Sequence, residues 1–204
     1  MPLTAAPGRL FCVNLKWGKD MKEIPWEVLE TKALAEEPVK IVHERLRTHT
    51  GAVLNYYYQP KPIQVIFALP LTDAGEALLI KQYRHPTRRF LLEVPAGKVD
   101  PGEDLQTAVR RELMEEVGAE AGKLVTFPSF YPQPSFNAAL FNPFLALNSR
   151  IISEPQLESG ELIETVKMPI CQAYDLLAGG QIADASTALT LFYARPWLDR
   201  HGYC

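Results

Sequence analysis

The chain has 204 residues, of which 47% are hydrophobic and 22% charged, and its formal net charge is −3. These values are typical of a globular protein with a sizeable core, and they exclude a disordered chain and a coiled coil. No dense Lys/Arg tract would grip a nucleic-acid backbone, and no apolar run approaches the roughly 18 residues of a membrane span, so we expect neither a nucleic-acid nor a membrane partner.

The first regular pattern in the chain begins at Trp26. Residues 1–25 mix Pro, Gly, Lys and isolated aromatics without a period, which predicts an irregular arm. Between residues 26 and 59 the stretches WEVLETKAL, VKIVHERLRTH and AVLNYYYQ alternate or are rich in β-forming residues, and a Thr-Gly turn joins the last two. A small antiparallel sheet is expected over 26–59.

Residues 60–204 are predicted to form the main domain. The stretches QVIFALPL, EALLIKQYRH, LLEVPAG, KLVTFPSF and ALFNPFLAL have the composition of strands, and Pro143 predicts that the last is an edge strand or contains a bulge. Two later stretches, ICQAYDLLAGG and DASTALTLFYARPWLDR, have helical spacing, and Asp184 is a suitable N-cap for the second. This interleaving predicts the α/β class, with helices on both faces of a sheet.

The three cysteines, Cys12, Cys171 and Cys204, are far apart and form no C-x-x-C pair. Such a pattern is typical of reduced thiols rather than of a disulfide framework or a zinc site. The first residues also lack the charged region and apolar core of a secretory signal. The sequence therefore predicts a cytoplasmic protein.

The segment GKVDPGEDLQTAVRRELMEEVGA, residues 97–119, is rich in acidic residues. Asp104 is a suitable N-cap and Gly118 is suited to follow the last helical residue, which predicts a helix over 105–117. At about 100° of rotation per residue, Glu112 and Glu116 fall inside the apolar arc of this helix, and Glu115 falls at its border. Two acidic side chains are thus predicted to face the core.

These three glutamates are placed unfavourably for a simple solvated face. Glu112 and Glu116 form a like-charge pair one turn apart, which costs roughly 0.2–0.5 kcal/mol. All three lie in the C-terminal half of the helix, where the dipole disfavours negative charge. A bound cation would offset these costs. Because the ligands are oxygens without Cys or neighbouring His, a hard ion such as Mg²⁺ is predicted, with Mn²⁺ as the alternative.

The same segment resembles the Nudix box, G-x5-E-x7-R-E-U-x-E-E-x-G-U with U apolar. The fixed positions are occupied by Gly97, Glu103, Arg111-Glu112-Leu113, Glu115-Glu116 and Gly118-Ala119. The flanking stretches KQYRHP, LLEVPAGKVDPGE and GQIADASTALTLFYA resemble the ADP-ribose pyrophosphatase branch, which also contains nucleotide-sugar hydrolases. The resemblance covers about 26–198. It implies a Nudix α/β/α sandwich with a mixed sheet, beside the small N-terminal antiparallel β-sheet.

The resemblance also implies roles for the matching residues. Glu112 and Glu116 are implied to be metal ligands, with Glu115 as a further ligand or close neighbour. The backbone carbonyl of Ala96 is implied to belong to the same shell, which holds more than one ion.

Support for this shell is implied at three further positions. Glu103 is expected to pair with Arg111 and hold the catalytic segment in place. Gly97 is expected to permit the tight backbone around the metal.

Candidate substrate-binding residues lie outside the box. Arg84 is predicted to pair with Glu93, with a contact to the substrate phosphates as a further role; an ordinary salt bridge on a strand face is the alternative. Trp26 and Tyr56–Tyr58 lie where the branch commonly donates an aromatic side chain to stack on the base, although half-buried strand residues need no such role. Pro134 lies near a proline of ADP-ribose hydrolases, but the glycine and acid that usually follow it are missing.

The acidic loop 153–161, SEPQLESGE, holds the candidates for the general base. The branch keeps an acidic loop over the active site at this position. Glu161 is the first candidate because it lies nearest the following strand, and Glu158 is the second because the loop could close on substrate. Glu154 is not expected to take part. A solvated acidic loop is the alternative.

The predicted function is metal-dependent hydrolysis of the pyrophosphate bond of a nucleoside diphosphate sugar. The first candidate substrate is ADP-ribose, which would be cleaved to AMP and ribose 5-phosphate, and the second is GDP-mannose or another nucleotide sugar. A non-catalytic nucleotide-sugar-binding module is the alternative class, but such modules often have a broken box. A homodimer is also expected, because the sheet of residues 26–59 is too small to bury its own apolar face and the related branch pairs its subunits through it.

Overall fold

The computed structural model describes residues 26–36 and 39–203, so the irregular arm predicted for 1–25 lies outside the described residues. The described chain divides into two units. The first comprises the residues up to Lys61 together with Ser135–Asn137, and the second comprises Pro62–Pro134 and the residues from Ala138 onward. The first unit therefore contains a short piece of a later loop besides the segment predicted to form the small sheet.

The first unit is a three-stranded antiparallel sheet in the order β1-β2-β3. Its strands are β1 (Glu27–Ala35), β2 (Ile41–Arg47) and β3 (Val53–Tyr58). They lie in the three stretches predicted from β-forming residues, except that β1 extends one residue further, to Ala35. The later piece is fastened to the end of β3: the Tyr56 hydroxyl donates a hydrogen bond to the Ser135 carbonyl at 2.7 Å, and the Gln59 N–H donates to the Phe136 carbonyl at 2.9 Å.

The second unit contains the remaining strands and all the helices of the described chain. Its strands are β4 (Gln64–Leu71), β5 (Glu76–Arg84), β6 (Arg89–Glu93), β7 (Ala96–Lys98), β8 (Ala119–Glu120), β9 (Lys123–Thr126), β10 (Leu140–Leu147), β11 (Arg150–Ile151) and β12 (Ile163–Pro169). Its helices are α1 (Leu105–Val117), α2 (Ile170–Ala178) and α3 (Ala185–Arg200). Within residues 26–36 and 39–203, no helix has the length and apolar character that a membrane span requires.

The second unit is built on a mixed sheet with the path β12-β5-β4-β10-β9. Strands β4 and β10 are parallel, and the other neighbours are antiparallel. Direct pairing between β4 and β5 is confined to Leu71 and Ala77; farther along, β6 pairs with β5 and β7 pairs with β4. The segment that leads into α1 therefore enters the sheet where β4 and β5 separate.

Helices cover both faces of this sheet. Ile66 of β4 and Ile80 of β5 belong to a buried cluster with α1, whereas their strand neighbours Leu69 and Leu79 belong to a cluster with α2 and α3. Because successive side chains of a strand point to opposite faces, two hydrophobic runs suffice to build both cores. The predicted α/β/α sandwich is thus confirmed.

Strand β10 lies inside the sheet, between β4 and β9, and pairs with β4 in an unbroken register. The prediction that Pro143 marks an edge strand or a bulge is therefore wrong. The Pro143 carbonyl accepts a hydrogen bond from the Phe127 N–H at 3.0 Å, so the proline nitrogen also faces the β9 side. The ladder with β9 begins one residue later, at Phe144. Pro143, which has no N–H, therefore lies just beyond the β9–β10 ladder, and the ladder loses no hydrogen bond.

Helix α1 spans the predicted residues because its local sequence fixes both ends. The Asp104 carboxylate accepts hydrogen bonds from the N–H groups of Gln106 and Thr107, at 3.0 and 3.1 Å. Gly118 ends the helix with a φ of 64°, a left-handed conformation that favours glycine. These two ends fix which residues are helical, and the helical period then fixes the directions of their side chains relative to one another.

Cys171, in the first turn of α2, is disulfide-bonded. The prediction that the cysteines are reduced thiols is therefore wrong for this residue. Cysteine spacing did not reveal the bond, because connectivity between distant cysteines depends on the tertiary structure. Cys12 and Cys204 lie outside the described residues.

Candidate active site

Two glutamates lie on the buried face of α1. Glu112 and Glu116 are 8% and 2% exposed, whereas the side chain of Glu115 is 42% exposed, in agreement with the helical wheel. Burial raises the pKa of Glu112, and burial together with the charges of Glu112 and Glu161 raises the pKa of Glu116 to about 8. Without a cation, both carboxyl groups therefore hold their protons more tightly than exposed ones would, because solvent cannot stabilise their negative charge.

The guanidinium of Arg111 connects the acidic side chains of this segment. Its Nε and Nη2 atoms each donate to the Glu103 carboxylate at 3.0 Å. Its Nη1 atom donates to Glu112 at 2.8 Å and to Glu115 at 3.0 Å, and Nη2 also donates to the Lys98 carbonyl at 2.9 Å. The pKa of Glu103 is lowered, mainly by the hydrogen bond from Arg111. The predicted Glu103–Arg111 pair is present and joins the turn before α1 to the helix.

Strand β7 runs close against the two buried glutamates. The Ala96 N–H donates a hydrogen bond to Glu116 Oε2 at 2.8 Å, so the contact of Ala96 in this structure is through its amide; its carbonyl as a metal ligand stays a prediction. At Gly97, an added Cβ would overlap the Glu112 carboxylate. A side chain at position 97 would therefore have to displace the Glu112 carboxylate from its present position.

Arg84 and Glu93 form the ion pair predicted from the sequence. Arg84 Nε donates to Glu93 Oε1 at 3.0 Å, and Nη2 donates to Oε2 at 2.6 Å. Glu93 is 2% exposed, whereas the Arg84 side chain is 41% exposed. Glu93 raises the pKa of Arg84, and Glu116 and Asp184 add smaller effects in the same direction. The bidentate contact thus fixes a partly exposed guanidinium within electrostatic reach of Glu116.

The two candidate bases of the acidic loop, Glu161 and Glu158, have different surroundings. The charge of Glu161 raises the pKa of both Glu112 and Glu116, so Glu161 lies within electrostatic reach of the box carboxylates. Its Oε2 atom accepts a hydrogen bond from the Glu158 N–H at 2.9 Å, and the Glu158 residue is exposed. Glu158 therefore contacts Glu161 through its backbone.

The comparison with known proteins identifies the family. Residues 61–187 match the NUDIX domain. The chain belongs to the Nudix family. It is 33% identical to the ADP-ribose pyrophosphatase of Bacillus subtilis over 129 residues, 63% of this chain and 70% of that protein. It is 26% identical to the GDP-mannose pyrophosphatase of Yersinia enterocolitica over 192 residues, 90% of this chain and 91% of that protein.

A solved structure agrees with this assignment. The crystal structure of an ADP compounds hydrolase is similar in fold, with a TM-score of 0.80 at 24% identity, covering 90% of this chain and 100% of that chain. The chain is therefore a Nudix hydrolase, and the predicted resemblance to the ADP-ribose and nucleotide-sugar branch is confirmed.

Nudix hydrolases generally use divalent metal ions, and the donor atoms of the Nudix box fit such an ion. Glu112, Glu115 and Glu116 offer hard carboxylate oxygens without sulfur or imidazole among them. In the described parts of the chain, no three His, Cys, Asp or Glu side chains are already drawn together as a metal cluster. Instead, Arg111 Nη1 donates to both Glu112 and Glu115, and the Ala96 N–H donates to Glu116. A bound ion would replace these N–H donors as the partner of the carboxylates.

Thr187 is a supporting residue that the sequence analysis missed. Its Oγ1 atom accepts a hydrogen bond from the Val94 N–H at 3.0 Å, and the residue is fully buried. Its own N–H donates to the N-cap carboxylate of Asp184 at 2.6 Å. Thr187 thereby ties α3 to the segment between Glu93 and Ala96. The stretch GQIADASTALTLFYA contains it, but a helical pattern alone does not reveal a partner 93 residues away.

Three of the aromatic residues considered for base stacking, Trp26, Tyr56 and Tyr58, form a cluster in the first unit, whereas Tyr57 stacks on His43. Trp26 and Tyr56 pack edge to face with ring centroids 6.2 Å apart, and Tyr56 and Tyr58 pack in the same way at 6.0 Å. This packing explains their presence in a small sheet. Stacking on a base stays a prediction.

Proposed function

We propose that this Nudix hydrolase cleaves the pyrophosphate bond of a nucleoside diphosphate sugar, with ADP-ribose as the preferred substrate. The observation that carries the proposal is the pair of buried glutamates, Glu112 and Glu116, on one face of the box helix. The names of the relatives support the substrate class, since one is an ADP-ribose pyrophosphatase and another a GDP-mannose pyrophosphatase. GDP-mannose or another nucleotide sugar is the second candidate.

Mg²⁺ is the proposed cofactor, with Mn²⁺ as the alternative and more than one ion per site. Glu112, Glu115, Glu116 and the carbonyl of Ala96 would hold it. When bound, such ions neutralise the charge of the pyrophosphate and make water a better nucleophile. Because Glu112 and Glu116 are buried, their attraction for a cation is stronger than it would be in water.

The other residues of the site have separate proposed tasks. Glu93 fixes the orientation of the Arg84 guanidinium by a bidentate contact. The N–H groups of Arg84 that do not contact Glu93 donate to a substrate phosphate. Glu161 takes a proton from the attacking water, with Glu158 as the second candidate. Arg111 and Glu103 keep the box segment in place while the carboxylates change partners.

A substrate panel tests the proposed function. ADP-ribose, GDP-mannose, ADP-glucose, NADH and diadenosine polyphosphates are incubated with the protein and Mg²⁺, and phosphate is measured after phosphatase treatment. We expect the highest kcat/KM with ADP-ribose and loss of turnover in EDTA. The Glu116→Gln variant is the control for a contaminating hydrolase. If the wild-type protein releases no more phosphate from any compound than the Glu116→Gln variant does, the proposed function is wrong. If GDP-mannose gives the highest kcat/KM, only the proposed preference for ADP-ribose is wrong.

The metal-free protein is expected to lose stability as the pH rises from about 5 to above 8. The pKa of Glu116 is about 8 in the folded protein, against an ordinary value of 4.5. A carboxyl group with a raised folded-state pKa binds its proton more tightly in the folded state. Its contribution is therefore fully present below pH 4.5 and is lost as the pH rises through about 8. The opposite contribution of Glu103, whose folded-state pKa is lowered, is already complete above pH 5.

Urea unfolding in EDTA at pH 5.5 and 8.5 measures this loss, which amounts to several kcal/mol at about 1.4 kcal/mol per pKa unit. The Glu116→Gln variant carries no titrating group at this position, so its stability should change less between the two pH values. Mg²⁺ should restore stability to the wild-type protein at pH 8.5. An equal pH dependence in both proteins would show that Glu116 is not the group responsible.

We also propose that the protein is a homodimer in which residues 26–59 pack on the partner subunit. The small sheet exposes four large apolar side chains, Val28, Leu34, Val53 and Tyr57, more than three short strands can cover by themselves. Light scattering at micromolar concentration should give twice the chain mass. Val28→Lys should shift the protein toward monomer, whereas Phe192→Lys, at an exposed apolar residue of α3, should not. A wild-type monomer would contradict the proposal.

A further inference from the structure

Gln82 on strand β5 is a buried residue with an unsatisfied polar atom. It is 7% exposed, and within the described residues its Oε1 atom is buried without a hydrogen-bond partner. Most buried side-chain oxygens in folded proteins have at least one donor, because an unpaired one retains the full cost of its desolvation. The position of Gln82 therefore requires an explanation.

Gln82 lies on the face of β5 that carries the active site. Side chains two residues apart on a strand share a face, so Gln82 faces the same side as Ile80 and Arg84. Ile80 packs in the cluster that contains α1, and Arg84 is within electrostatic reach of Glu116. Gln82 thus lies between the core under α1 and the Arg84–Glu93 pair.

The neighbouring strand places Gln82 beside the loop that ends at Glu161. Gln82 pairs in register with Ile163 of β12, which packs against the α1 side of the core. The next residue, Tyr83, donates its N–H to the Leu162 carbonyl at 3.1 Å. The amide is therefore held below the region between α1 and Glu161. We call the region around Glu112, Glu116 and Glu161, whose charges act on one another, the acidic cleft.

The chemistry of the cleft limits what Oε1 can bind. An amide oxygen only accepts hydrogen bonds, whereas ionised carboxylates and phosphate oxygens are also acceptors and cannot pair with it. When the carboxylates are ionised around a bound cation, the remaining donors are a water molecule and a hydroxyl group of the substrate. Water is favoured because three carboxylates and a hard cation retain water around them.

We propose that Gln82 is a positioning residue of this hydrolase, whose Oε1 atom accepts a hydrogen bond from a water molecule held in the acidic cleft. Fixing the orientation of that water would align it for hydrolysis and would support a cation held by Glu112 and Glu116. The inference rests on the proposed function and adds a residue outside the Nudix box.

The Gln82→Met variant tests the proposal, because methionine has a similar length but no strong hydrogen-bonding atom. Removal of an unpaired acceptor by an apolar side chain of similar shape should leave the protein folded. We expect kcat for ADP-ribose to fall about tenfold or more with KM within about twofold, and the Kd for Mn²⁺, measured on the protein without substrate, to weaken about tenfold. Gln82→Asn, which withdraws the amide, should show the same losses.

Ile80→Val is the matched control, since Ile80 is fully buried on the same strand and face but has no polar atom. Both constants should stay within about twofold in this variant. Unchanged kcat and Mn²⁺ affinity in Gln82→Met, or equal losses in Ile80→Val, would overturn the proposal. A rise of KM alone would assign the amide to a substrate hydroxyl instead. If wild-type protein hydrolyses no compound of the panel, the proposed function fails separately and the Mn²⁺ affinity alone decides the role of Gln82.

Discussion

Replacing either buried glutamate of the Nudix box by glutamine is expected to lower kcat by at least about a hundredfold, which corresponds to about 2.7 kcal/mol. Glutamine has nearly the same shape as glutamate but no charge, so Glu112→Gln and Glu116→Gln weaken cation binding without leaving a cavity. Their effect should be large because both side chains are buried, where the loss of a charge is not compensated by solvent.

Both variants should remain folded. In Glu116→Gln, the side-chain oxygen can still accept the hydrogen bond from the Ala96 N–H. In Glu112→Gln, the side-chain oxygen can still accept from Arg111, whose other ion pairs with Glu103 and Glu115 are untouched. In Glu116→Gln, the removal of a buried charge should also increase the free energy of unfolding without metal above about pH 8, where the wild-type carboxyl is ionised.

Steady-state rates with Mg²⁺ and thermal unfolding in EDTA together measure this prediction. Glu120→Gln is the matched control, because Glu120 is an exposed glutamate in an ion pair with Arg150, and surface pairs of this kind contribute little. Its rate should equal that of the wild type. Near-normal turnover in Glu112→Gln or Glu116→Gln would show that the metal site has been assigned to the wrong residues.

The parts of the structure that could be predicted from sequence depend on local interactions. Helix α1 begins after Asp104 and ends before Gly118 because each terminal residue satisfies backbone groups of the nearest turn. Once its ends are fixed, the helical period determines that Glu112 and Glu116 face the core. The ion pair between Glu103 and Arg111 followed from the family resemblance over the same short segment.

The parts that could not be predicted depend on which distant segments become neighbours. Pro143 is tolerated inside the sheet because the ladder with β9 starts one residue later, and no pattern within β10 contains that information. The contact between Thr187 and Val94 likewise joins segments far apart in sequence. The oxygen of Gln82 can be recognised as unpaired only when its own burial and the positions of all possible hydrogen-bond donors are known.

The general base is the second position where a large effect is expected. Glu161→Gln should lower kcat more than tenfold with KM little changed, because a carboxamide cannot accept a proton from the attacking water. The sequence left Glu161 and Glu158 as candidates. The structure favours Glu161, since its charge raises the pKa of Glu112 and Glu116, whereas the residue Glu158 is exposed.

Three matched variants of the same loop separate the candidates. Glu158→Gln retains the backbone N–H that donates to Glu161 Oε2 at 2.9 Å, so a loss of rate in this variant would come from the Glu158 side chain itself. Glu154→Gln should have the wild-type rate. If the Glu161→Gln and Glu158→Gln variants both turn over normally between pH 7 and 9, neither loop carboxylate takes the proton. Either a glutamate of the box such as Glu115, half-exposed beside Arg111, would then accept the proton, or a bound cation would lower the pKa of the water enough that no loop carboxylate is needed.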